Sequence, residues 1–105
     1  MKILLDNNVP TKMRRMLMPR GVWTSAYMGW TLLQNGQLLM AAEGAGFELL
    51  VTADKNLAYQ QNLKHRKIAL VVLSTPRWSI IQNHAATICA AIDAATPGSF
   101  AAVDC

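Results

Sequence analysis

The chain has 105 residues, 52% of them hydrophobic and 15% charged, which excludes an intrinsically disordered protein and fits one compact soluble domain spanning residues 1–105. A chain of this length buries roughly 65% of its unfolded surface, enough for a core without disulfide or metal staples. The net charge of +4, with only six acids in the chain, suits a polyanionic partner such as nucleic acid, or an acidic protein.

In chain order, Lys2–Asp6 is a short apolar run ending on an acid, the pattern of a buried strand whose last residue emerges at its carboxyl end. Asn8, Val9 and Pro10 look like a helix start, because Asn caps and Pro is tolerated in the first turn. Met13, Met16 and Leu17 give the apolar stripe of that helix, and Pro19-Arg20-Gly21 stops it. Val22–Ala26 reads as a second strand. A helix then begins at Asn35-Gly36 and runs through Leu38, Leu39, Ala41 and Ala42 to Gly44 and Gly46. Leu49–Thr52 is a third strand that delivers Asp54 just past its end, and a short helix is expected over Asn56 to Leu63. Ile68–Leu73 is the plainest buried strand. Ile81, Ala85, Ile88 and Ile92 form a long helical stripe closed by Pro97-Gly98, and Phe100–Val103 is an edge strand or a tail.

Apolar strands alternating with helices predict a single three-layer α/β/α domain with a mostly parallel central sheet. The uncharged stretch Gly21–Ala42 does not predict a membrane span, since its Gln, Asn and Gly residues would leave polar groups unpaired in hydrocarbon. An acid at position 6 comes too soon for a signal-peptide core, so a cytoplasmic location is expected. Cys89 and Cys105 make neither a C-x-x-C pair nor a His/Cys cluster, and no zinc or redox motif follows from them. The Met- and Trp-containing sequence suits a homodimer or a bound partner.

Chemistry in an open parallel sheet sits beyond the carboxyl ends of its strands. Asp6 and Asp54 fall at two such ends, and Glu43 lies on the helix before the strand that delivers Asp54. If the first and third strands are neighbours, the three carboxylates are expected to converge at one edge. Carboxylates so placed repel one another unless a hard cation neutralises them, and oxygen-only ligation suits Mg²⁺ or Mn²⁺. Lys12, Arg15 and Lys55 are the expected phosphate contacts.

The opening Lys-Ile-Leu-Leu-Asp-Asn-Asn-Val-Pro, the segment Gly29-Trp30 through Asn35-Gly36-Gln37-Leu38-Leu39, the acid in Ala41-Ala42-Glu43, and the block Leu50-Val51-Thr52-Ala53-Asp54-Lys55-Asn56-Leu57 followed by Tyr59-Gln60-Gln61-Asn62-Leu63 carry a family likeness. Together they resemble the short, stand-alone PIN-like domains related to VapC-type toxin ribonucleases. That resemblance implies a PIN-like fold and a Mg²⁺- or Mn²⁺-dependent endoribonuclease, often the toxin of a toxin–antitoxin pair, with an antitoxin protein as partner. The acidic metal site would fall on Asp6, Glu43 and Asp54, with Asn7, Asn8, Thr52 and Asn56 in support. The chain departs from the family at Asn7, where a glutamate commonly follows the first aspartate, and it offers only Asp93 and Asp104 as late acids. The alternative expectation is therefore a PIN-like module with an eroded metal site, which binds RNA or a protein without cleavage.

Overall fold

The computed structural model describes residues 1–33, 35–55 and 66–105. The expected helix over Asn56–Leu63, and with it Asn56, lies outside the described residues. Five strands, β1 (Lys2–Leu5), β2 (Gly21–Thr24), β3 (Leu49–Thr52), β4 (Ala69–Leu73) and β5 (Phe100–Val103), form one sheet in the order β2-β1-β3-β4-β5. Every pairing is parallel. The sheet is covered on both faces, which is why β3 and β4 are continuous apolar runs with every residue buried.

Alternation along the strands sorts the core into two halves. Ile3, Leu5, Val22, Leu49, Val51 and Val71 face a layer built from α1 (Met13–Met16), α3 (Trp78–Ile81) and α4 (Ala85–Asp93). Leu4, Leu50, Leu70 and Val72 face the opposite layer, where α2 (Asn35–Gly44) contributes Leu38, Leu39 and Ala42. The α/β/α layering expected from the sequence is thus present. No described helix is long and apolar enough to cross a membrane.

Two helices differ from their sequence expectation. The helix expected from Asn8 is reduced to one turn, Met13–Met16, and the Asn8 side chain does not cap it. Asn8 Oδ1 instead accepts the Ala53 N–H at 3.0 Å, across to the end of β3. The long stripe from Ile81 to Ile92 is broken by a 3₁₀ turn at Gln82–His84. There the Asn83 amide donates to the Ser79 carbonyl, and His84 Nδ1 lies 3.0 Å from the Ile80 carbonyl, four residues back in each case. Such local bonds compete with regular helix geometry.

The end of α2 is sharply set. Gly46 takes φ +85°, a left-handed conformation that glycine enters without steric cost. The Phe47 N–H then returns to the Ala42 carbonyl. This turns Phe47 into the core, where Trp23 and Trp30 meet it edge-on at centroid distances of 5.9 and 6.0 Å. Trp30, in a glycine-bounded loop, is thereby packed against the α2 layer.

Candidate functional site: the carboxyl edge of β1 and β3

The strand order places a topological switch point between β1 and β3. From β1 the chain crosses first to β2 on one side and later reaches β3 on the other. Connections leave the sheet in opposite directions at such a point, opening a crevice at the carboxyl ends of the two strands where ligands bind. Asp6 and Asp54 follow these two strands, so both acids lie at the carboxyl edge.

The residues here form a compact polar network. The Thr52 hydroxyl, fully buried, donates to Asp6 Oδ2 at 2.7 Å and accepts the Asp54 N–H at 3.0 Å. Asp6 Oδ1 accepts the Asn7 N–H at 2.6 Å. The Asn8 amide adds a contact of 3.3 Å to Thr52 Oγ1 while its oxygen holds the Ala53 N–H. Thr52, Asn8 and Asp6 therefore lock the ends of β1 and β3 together. Asn7 takes part only through its backbone N–H, and its side chain is exposed.

The registers extend this network by one strand. Leu5 pairs with Thr24 on one side and Val51 on the other, so the next step aligns Ser25, Asp6 and Thr52 in a row across β2, β1 and β3. The Ser25 N–H donates to the Leu5 carbonyl and the Asp6 N–H to the Val51 carbonyl, which carries the ladder up to that row. By alternation the row shares the face of Leu4, Trp23 and Leu50, the face that α2 covers. Ser25 and Thr52 are the buried polar residues among those described, and Ser25 Oγ has no hydrogen-bond partner there. Sequence reasoning missed Ser25. Its signal was a hydroxyl next to Thr24 at the end of β2, and which of the two turns inward is legible only once the register is known.

Glu43 corrects the expected convergence. Helix α2 runs against the strands, from the carboxyl edge where β2 ends back to the amino edge where β3 begins. Glu43 sits one residue before its end, and so lies at the opposite edge from Asp6 and Asp54. Its Oε2 accepts the Lys67 N–H at 2.9 Å and approaches the Ile68 N–H at 3.5 Å, with Arg66 3.7 Å away. Glu43 thus fixes the start of β4. Among the described residues no group of three or more His, Cys, Asp or Glu side chains is placed to hold a metal ion.

Asp104, after β5, lies at the same edge as Asp6 and Asp54 but two strands beyond β3. At the β1/β3 switch point the carboxylates are those of Asp6 and Asp54, with neutral oxygens around them. That set fits one hydrated Mg²⁺ or Mn²⁺, which keeps several waters and needs one or two protein carboxylates. It does not fit a three-carboxylate cage. Asp93, the late acid on α4, is at the amino edge in a two-pronged pair with Arg20, at 2.9 Å from Nε and 2.5 Å from Nη2. The hydrogen bond from this guanidinium holds the Asp93 carboxyl below its ordinary range, and the same bond to Asp93 raises the pKa of Arg20.

The basic residues expected to contact RNA separate into two places. Lys55 is exposed at the carboxyl edge, beside a small pocket lined by Ser74 and Asp104. Lys12 and Arg15 lie on the α1 side and line a groove along β2. Searches against protein-family models, curated proteins and solved structures found no match for this chain.

Proposed function

We propose that this chain is a PIN-like module that binds RNA through a phosphate at the β1/β3 switch point, in its eroded, non-cleaving form. The observation that carries this reading is the Ser25–Asp6–Thr52 row, with the Ser25 hydroxyl buried and lacking a partner among the described residues. The N-terminus of α2 meets the same edge and face, and helix N-termini favour phosphate. Lys55 adds a cation at that edge, and the excess of bases over acids favours a polyanion. The resemblance of the Asp6 and Asp54 segments to PIN-like domains selects RNA among polyanions.

Asp6 and Asp54 would hold Mg²⁺ or Mn²⁺, and the cation would supply positive charge for a phosphate at that edge. Thr52 and Asn8 orient Asp6 and tie it to the strand that delivers Asp54. With Glu43 at the other edge and Asp104 two strands beyond β3, the switch point has carboxylates for one cation, too few to clamp both the attacking and the leaving oxygen through a metal pair. A second reading, the metal-dependent endoribonuclease of a toxin–antitoxin pair, is favoured by the shared edge of Asp6 and Asp54, since one cation can also activate water.

The test is Mn²⁺ calorimetry on the wild type and Asp6→Asn, with RNA binding and fluorogenic RNA cleavage measured on the same samples. Mn²⁺-dependent RNA binding that Asp6→Asn abolishes, without cleavage, is the expected result. Cleavage that requires Asp6 selects the nuclease reading. RNA binding indifferent to both Mn²⁺ and Asp6→Asn overturns the site.

A further inference from the structure

Strand β2 is an edge of the sheet, and among the described residues no strand pairs with its outer side. Its backbone presents a definite pattern there. The Ser25 N–H points inward to the Leu5 carbonyl, so with a period of two Trp23 and Gly21 also turn toward β1. The N–H and carbonyl of Val22 and the N–H of Thr24 therefore face outward. Exposed edges of this kind are templates for an added strand, and proteins often blunt them with charge.

Here the charge is concentrated and of one sign. An open groove of about 1230 Å³ runs along β2, with Lys12, Arg14, Arg15 and Arg20 around it. Met16, Met18, Val22, Trp23 and Trp78 supply apolar surface to the same groove, and Met18 is 67% exposed. Arg20 is paired with Asp93, while Arg14, Arg15 and Lys12 are exposed. Backbone donors and acceptors, an apolar strip and a cationic rim lie side by side.

We infer that this groove docks an acidic segment of a protein partner, laid down in extended conformation as an added strand on β2. Strand addition supplies main-chain hydrogen bonds, and alternate side chains supply specificity. On one side of the added strand, apolar residues meet Met16, Met18 and Trp78. Carboxylates on that same side reach Lys12, Arg14 and Arg15. A second copy of this chain is a poor occupant, because pairing β2 with β2 brings the two cationic rims together. RNA satisfies the cations but not the Val22 and Thr24 backbone groups. The groove lies along the β2 edge and on the α1 side, whereas the polar row is on the α2 face, so this inference stands apart from the RNA site.

The probe is a short fluorescein-labelled peptide of repeating Glu-Thr-Val-Thr, which puts Glu and Val on one face of an extended strand, followed by fluorescence anisotropy at low salt. It is compared with its Gln/Val counterpart and with the same Glu/Val peptide carrying N-methyl groups on one edge of its backbone. Binding by the Glu/Val peptide is expected to weaken at least about tenfold in the Arg14→Glu/Arg15→Glu variant, as for a close charge contact. It is expected to weaken similarly on N-methylation, and to be unchanged in Asp6→Asn. These arginines are exposed, so the variant should keep its fold, which circular dichroism checks. No binding by the Glu/Val peptide overturns the proposal, as does equal binding of the N-methylated one. Displacement by a single-stranded RNA that binds the groove more tightly, and loses that binding in Arg14→Glu/Arg15→Glu, makes this a nucleic-acid surface instead.

Discussion

The two edges of the sheet use their polar residues in opposite ways. At the amino edge, charged groups are spent on structure. Glu48 accepts the Lys2 N–H, and the Lys2 ammonium donates to the Ala45 carbonyl while lying over the Phe47 ring. Glu43 holds the segment before β4, and Arg20 grips Asp93. At the carboxyl edge Asp6 is held by a hydroxyl and a backbone N–H, and Ser25 is buried beside it with its hydroxyl unpartnered among the described residues. Acids at one end thus pair with cations or with distant backbone N–H groups, while at the other Asp6 sits among neutral donors beside a buried hydroxyl. Which role an acid takes depends on the edge its element delivers it to.

Breaking the network at its buried centre should have the largest effect. Thr52→Val keeps the shape but removes the hydroxyl that serves Asp6, Asp54 and Asn8, and about 2 kcal/mol of stability should be lost in chemical denaturation. The paired change at the amino edge sharpens the contrast. Glu43→Ala should cost about 1 kcal/mol by leaving the Lys67 N–H without its acceptor, yet leave Mn²⁺ and RNA binding unaltered. Loss of Mn²⁺ binding in that variant would return Glu43 to the metal site. Ser25→Ala removes a buried hydroxyl without a described partner, so stability should hold while RNA binding weakens several-fold.

The smallest effect concerns pH. Arg20 lowers the pKa of Asp93 in the folded chain, so the pair stabilises the fold above the ordinary carboxylate range. That contribution is lost as pH falls through the lowered value. Asp93→Asn should flatten the acid limb of the stability curve slightly, and salt should do the same to the wild type, because the pair is solvent-exposed.

Much of the fold was legible because strands buried on both faces read as unbroken apolar runs. Leu49–Thr52 was found at its true bounds, and Ile68–Leu73 differs from β4 by one residue. Asp6 and Asp54 were legible for the same reason, each being the first acid after such a run. Glu43 was misplaced because a helix reverses direction between parallel strands, so nearness in sequence to β3 put it at the wrong edge. Asn8 was read as a cap because its partner, Ala53, is 45 residues away and invisible to local pattern.

The strand order also bears on how the sheet is assembled. β1 is made first and β2 is its first partner; β3 then joins the other side of β1, β4 joins β3, and β5 joins β4. Each new strand adds to an edge that already exists, and none must be threaded between two strands already paired. The sheet can therefore grow in the order in which the chain is made, and among the described residues the β2 edge, completed early, receives no later strand.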